Sequence, residues 1–342
     1  LPRGDPSSWA EPTRAWGSVV ADPRWLGTDR LVRVIANRVG EPVSDVASKL
    51  LEIEVRRRYL LLDRLAKTRR CTVFGAVDLL LAREVVVKIL HDTDEQTTWR
   101  LIHEAQAVAT FDHRHVVRVY DVGVHDEWVY AVMDRCDTHL DRWRAGRPWT
   151  EVLDRLVEAG HGLAAVHAAG LVHRDVKPDN ILIKNGVAKL ADFGLATPPG
   201  WTGRIAGTPG YIAPEAADGY SGPAGDVFAF GCTAWRCLVG SPPFGEPPPN
   251  AGTSAATLVL VARARQRRPE VVGAPATAVP PVVLAALGQA LGAEPSRRPT
   301  LDELLEQLAA LRSAGALRRQ WWALRQSAHR TRSASRKDEV SR

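Results

Sequence analysis

The chain has 342 residues, 45% of them apolar and 25% charged, with 11 tryptophans and one methionine, which reads as globular and excludes a disordered or fibrous chain. Its 4 cysteines have neither paired nor metal-ligand spacing, which excludes a disulfide scaffold and predicts buried thiols in a reducing cytosol. The net charge of +6 is confined to residues 313–342, where eight basic residues face Asp338 and Glu339, so the body is neutral and no specific nucleic-acid binding is expected of it.

Residues 1–27 hold Pro, Gly and Trp without periodicity and read as an irregular arm; LPRGDPSSWAEP lacks the apolar run of a secretory leader, and the chain is expected in the cytoplasm. Two helical patterns follow within 28–57. Leu31, Val34, Ile35 and Val39 come after a Thr28 cap and stop at Gly40; Val46, Leu50 and Ile53 follow a start near Ser44. These patterns suit either a DNA-reading helix pair or a packing extension on the following domain. The chain passes directly into the strand-like YLLLDRLA with no third helix to enter a groove, so the extension is the default.

Further on, VVVKIL puts Lys88 on a β-branched strand, and WRLIHEAQAVA puts Glu104 on a helix, a pairing that would hold an ammonium at a fixed point. In VHRDVKPDNIL, Pro178 keeps Asp175 and Asn180 on a loop, and ADFGLA brings Asp192 after the apolar run VAKLA. Two carboxylates and an amide on neighbouring loops can bind a hard cation through oxygen and still leave one carboxylate over. A cation, a base and a fixed ammonium describe a site that moves a phosphoryl group. Only seven of the 45 basic residues are lysines, so Lys177 suggests a place that wants a compact ammonium rather than a planar fork.

Residues 271–293 run without a charge but contain three prolines, and predict a loop and then a buried helix starting near Pro281 rather than a membrane span. In the tail, Leu317, Trp321 and Leu324 stand at helical spacing among arginines. Docking on its own large lobe, on a partner chain or on an anionic surface would cover Trp321 and Trp322.

Taken in order, VVVK, HRDVKPDN, DFG, GTPGYIAPE at 207–215, DVFAFG at 226–231 and SRRPT at 296–300 resemble a protein kinase, of the eukaryotic-like serine/threonine kind found in bacteria, across roughly residues 57–311. The resemblance implies a two-lobed α+β fold, with a β-rich N-lobe carrying one helix, αC, and a mainly helical C-lobe. The boundaries expected are an extension at 1–57, a kinase domain at 58–312 and a tail at 313–342.

The resemblance also assigns roles. Asp175 would orient the substrate hydroxyl and accept its proton. Asn180 and Asp192 would hold Mg2+ or Mn2+ against ATP, and Lys88, anchored by Glu104, would contact the α- and β-phosphates. Lys177 would follow the γ-phosphate, and Thr208 would tie Asp175 to Lys177. Val73, Val86 and Leu182 would enclose the adenine, with Met133 as gatekeeper and hinge backbone from Asp134 to Cys136. Val108, Val119, His173 and Phe193 would form an apolar column based on Asp226, and Arg298 would pair with Glu215. Arg174 would receive a phosphate on Thr202 as a regulatory switch. The implied partner is a protein with a Ser or Thr acceptor, and autophosphorylation is expected. Asp179 could favour basic residues before the target hydroxyl.

One departure opens an alternative. Where the family writes Gly-x-Gly-x-x-Gly-x-Val, this chain has Ala66-Lys67-Thr68-Arg69-Arg70-Cys71-Thr72-Val73, and Val86 replaces an alanine. An active enzyme in which Lys67, Arg69 and Arg70 compensate by charge is set against a pseudokinase acting as scaffold or switch. A small-molecule phosphotransferase of the aminoglycoside type is weighed as well. It is disfavoured because GTPGYIAPE and Lys177 belong to kinases that dock a polypeptide.

Overall fold

The computed structural model describes residues 58–68, 71–90, 112–125, 128–193, 196–201, 205–246, 253–266 and 279–313. The expected helices of 28–57, the Glu104 helix with Val108, Thr202 and the tail lie outside the described residues. The chain divides into two compact units, Leu1–Asp112 with Val117–Arg135 and His113–Val116 with Cys136–Arg342.

The first unit is built on strands β1 (Tyr59–Lys67), β2 (Cys71–Asp78), β3 (Arg83–Leu90), β4 (Val119–His125) and β5 (Trp128–Asp134). They form an antiparallel sheet in the order β1-β2-β3-β5-β4. The β-branched run of β3 suits a pleated, half-buried surface, and its alternation separates two faces. Phe74, Ala76, Val85, Val87, Ile89 and Val132 are buried on one, with Tyr59, Leu61, Tyr120 and Tyr130 packed against them. Val73, Val86, Lys88, Ala131 and Met133 stay half-buried on the other. That second face is set by register: Lys88 lies opposite Val73 and Ala131, and Val86 opposite Gly75 and Met133.

At the far end of β2 the Asp78 carboxylate is fully buried. It accepts from Arg58 Nε and a terminal nitrogen at 2.9 and 2.8 Å, and from Arg83 at 3.4 Å. Burial pushes this carboxyl up, but the Arg58 hydrogen bond and charge, the Leu81 N–H and Arg83 together outweigh it and hold the group below the usual range.

The second unit begins with β6 (Thr138–His139), α1 (Leu140–Trp143) and α2 (Trp149–Ala168). After a 3-10 turn at Pro178–Asn180 come β7 (Ile181–Lys184), β8 (Val187–Leu190), β9 (Gly200–Trp201), α3 (Pro214–Ala217), β10 (Tyr220–Ser221) and α4 (Pro223–Val239). Helices α5 (Thr253–Gln266) and α6 (Pro281–Ala290) and a last helix over 301–313 complete it. Along α2, Val152, Leu153, Leu156, Ala159, Leu163 and Val166 recur at helical spacing and are buried. Gly162 lets the helix meet the backbone carbonyl of His115, where a Cβ would collide. Helix α4 starts with a proline in its first turn, stops at Gly240 with φ 96°, and is buried from Asp226 to Val239 apart from Arg236.

The expected helix after Pro280 is α6, which buries Val283, Ala286, Leu287 and Ala290. Among the described residues no helix is long and apolar enough to cross a membrane. All four cysteines are free thiols, and Cys232 and Cys237 are buried. Burial raises the thiol of Cys237 to about 12 and that of Cys232 further, so both are inert packing groups.

Candidate active site

Asp226, in the first turn of α4, organises the loop that carries the chemistry. One carboxylate oxygen accepts the backbone N–H of Arg174 at 2.8 Å. The other accepts the N–H of His173 at 2.7 Å and His167 Nε2 at 2.9 Å. These bonds hold Arg174 at φ 70°, a left-handed conformation that costs a non-glycine residue about 1–3 kcal/mol. The His173 ring, 4.9 Å from that of Phe193, gives Nε2–H to the carbonyl of Ala191 at 3.0 Å and takes the Asp175 N–H on Nδ1 at 3.3 Å. Thr233 of α4 donates to the carbonyl of Val176 at 3.1 Å, so the following residue of the loop is also anchored.

On that base the side chains converge. Lys177 Nζ donates to Asp175 Oδ2 at 2.6 Å and to Thr208 Oγ1 at 2.8 Å, while Thr208 Oγ1 donates to Asp175 Oδ1 at 2.7 Å. Asn180 Nδ2 donates to the Asp175 carbonyl at 2.8 Å and to Oδ2 at 3.1 Å. Both Asp175 and Asn180 are buried. The Asn180 amide thus spends its N–H groups on Asp175, and its carbonyl oxygen remains to accept a cation. Asp192, exposed and held at φ 62° directly after β8, brings a carboxylate from the next loop. An all-oxygen donor set of one amide and one carboxylate fits a hard divalent cation such as Mg2+.

The residues expected around a nucleotide fall in both units. Val73, Val86, Lys88 and Met133 share the half-buried face of the five-stranded sheet. Asp134 ends β5, where its N–H donates to the Arg118 carbonyl at 3.0 Å and its carboxylate accepts the Tyr120 hydroxyl. Cys136 and Leu182 belong to the second unit, Leu182 on β7 opposite His139 of β6. Glu104 lies outside the described residues.

The strands on either side of the loop without glycines, β1 and β2, pair antiparallel up to Lys67 and Thr72. Ala66 pairs with Val73 and Lys67 with Thr72. The Thr68 N–H donates to the Cys71 carbonyl at 2.8 Å, and the Cys71 N–H to Thr68 Oγ1 at 3.1 Å. None of Ala66, Thr68 and Cys71 has positive φ, so none of them needs glycine's conformational freedom.

Two partners were not foreseen. Arg174 Nε donates to Ser221 Oγ at 2.8 Å, on the β10 strand that pairs with β9. His167 stands 59 residues from Asp226 in sequence, and no local pattern joins them. The pair Arg298–Glu215 is bidentate at 2.6 and 2.8 Å. The remaining N–H groups of Arg298 go to the carbonyls of Gly292, Ala224 and Ala293 at 2.7, 2.8 and 3.1 Å.

Residues 64–308 match the family model described as protein kinase domain. The chain belongs to the protein kinase family. Its relatives place this kinase in the bacterial serine/threonine branch. It is 39% identical over 201 residues to serine/threonine-protein kinase PknL of Mycobacterium tuberculosis, covering 55% of this chain and 50% of that one. It is 33% identical over 261 residues to the kinase PknA of Corynebacterium glutamicum, covering 70% and 53%, and 36% identical over 222 residues to PknA of Mycobacterium tuberculosis, covering 59% and 50%. The chain spans about half the length of these curated relatives. The α+β architecture is that of the two-lobed kinase fold, with the β-rich unit as N-lobe and the helical unit as C-lobe.

Proposed function

We propose that the protein transfers the γ-phosphoryl group of ATP to Ser or Thr hydroxyls of a protein, itself included. The observation that carries this reading is the Asp175 carboxylate, held between Lys177, Thr208 and Asn180 on a loop fixed by Asp226. Asp175 Oδ2 orients the acceptor hydroxyl and takes its proton. Lys177 Nζ neutralises charge on the transferring group, and Thr208 keeps both heads in register. Asn180 Oδ1 and the Asp192 carboxylate would hold the metal, and Lys88 would meet the α- and β-phosphates. Mg2+ supplies charge neutralisation across the phosphates when bound.

A pseudokinase is not favoured, since the curated relatives are named as kinases and every charged position of the site is present. The four free thiols support a reducing compartment, the cytoplasm. A polypeptide acceptor is supported by the GTPGYIAPE segment. The tail, outside the described residues, would dock on its own lobe, a partner chain or an anionic surface.

The test is transfer from labelled ATP with Mg2+, wild type beside Asp175→Asn. Loss of incorporation by about 10²-fold or more in the variant is expected. Equal incorporation in both would end the enzyme reading. A nucleotide-induced melting shift without transfer would favour the scaffold.

A further inference from the structure

A cavity of about 460 Å³ lies in the second unit, where the end of α2, the first turn of α4 and residues Pro295–Asp302 meet. Its volume is within the range of small-ligand sites. Ala164, Ala168, Val227 and Leu301 contribute apolar wall. The one basic group fully enclosed beside it, Arg298, has all five N–H donors engaged, by Glu215 and three carbonyls, so no open positive charge awaits an anion. At the rim Asp302 is exposed, which further disfavours an anionic ligand.

His167 also lines this space. Its Nε2–H is committed to Asp226 at 2.9 Å, so in the neutral ring the remaining nitrogen, Nδ1, is an acceptor, and among the described residues no hydrogen bond reaches it. We propose that this cavity is a ligand site taking a neutral, compact aromatic ring that bears a single N–H or O–H donor, indole being the simplest such molecule. The ring packs on the alanine, valine and leucine wall, and its donor goes to His167.

The site is tied to the catalytic loop by named contacts. Asp226, the partner of His167, also receives the N–H groups of His173 and Arg174, and the residue after Arg174 is Asp175. A hydrogen bond received at Nδ1 polarises the ring and strengthens the bond from Nε2–H to Asp226, which biases how that carboxylate is shared with those two amides. The binding claim stands without the kinase reading; only an effect on phosphoryl transfer rests on it.

The same chemistry has two sources, a free molecule and the chain's own Trp321 and Trp322, eight and nine residues beyond Ser313. The experiment titrates indole into the full chain, following thermal unfolding and amide hydrogen exchange, for wild type, Ala168→Leu and the double variant Trp321→Ala/Trp322→Ala. A free molecule as ligand gives a saturable Tm rise of about 3 °C at ten times Kd in wild type. Ala168→Leu, at the exposed end of α2, should abolish that rise. Saturation seen only in the double variant supports the same site with the chain's own indoles as occupant. Absence of saturable binding in all three proteins overturns the proposal, as does saturation unaffected by Ala168→Leu. With indole bound, slower exchange at His173 and Arg174 is expected; unchanged exchange there would sink the link to the catalytic loop.

Discussion

Lys177 is one of seven lysines in a chain that otherwise writes positive charge as arginine. Its ammonium touches two oxygens, of Asp175 and Thr208, within 2.8 Å. A guanidinium needs more room and a planar pair of acceptors. Lys177→Arg should therefore lower kcat by about 10²-fold, with the ATP KM within about threefold and Tm unchanged, as steady-state kinetics and melting would read. Thr208 bridges the two heads, and Thr208→Ala should cut kcat by about tenfold while Thr208→Ser restores it, because only the hydroxyl is used. Arg298 tests stability instead of chemistry. Its side chain is fully buried against Glu215, and Arg298→Met leaves that carboxylate without its cation. Denaturant unfolding should show a loss of about 3–5 kcal/mol.

Among the elements, α2 is closely packed at its glycines: Gly160 receives the Leu305 side chain, and Gly162 meets the carbonyl of His115, a group that cannot rotate away. Gly162→Ala should destabilise by about 1–3 kcal/mol through overpacking, although alanine is the better helix former; chemical denaturation would show the sign. The β-branched run of β3 and the start of α6 at Pro281 are legible in the sequence, because residue type and proline placement act locally. The meeting of α2 with His115 is not legible, since nothing near Gly162 reports a partner 47 residues upstream. Thr68 and Cys71 are a second case: neither has positive φ, and the threonine hydroxyl takes the Cys71 N–H, a contact that the absence of glycine did not announce.

For the molecule as a whole, acid should be the weak side. Burial first, and then the charges of His161, Lys189 and Arg114, hold His113 below its ordinary value of 6.5. Burial likewise lowers His115, and the hydrogen bond to Ala188 and the charge of Glu158 oppose it only in part. The unfolded chain therefore binds protons near pH 6.5 that the native state does not. Their stabilising contribution is complete above that pH and falls as pH drops below it, by up to about 1.4 kcal/mol per pH unit for each group. Asp78, held below the carboxylate value of 3.8, adds a second loss at lower pH. Tm measured from pH 7.5 to 5 should decline, and His115→Gln should flatten the slope; an unchanged slope would remove His115 from this account.

Sequence alone determined the family and the order of its segments, and it put Asp175, Lys177 and Asn180 on one loop because Pro178 bars an α-helix there. Tertiary structure decided what holds that loop. Ser221 and Thr233 are brought to it from 47 and 57 residues away, and His167 meets the Asp226 that fixes it across 59. The same packing left a cavity beneath His167. Contacts of that kind follow from how helices stack, and side-chain periodicity along one helix carries no record of which other helix will face it.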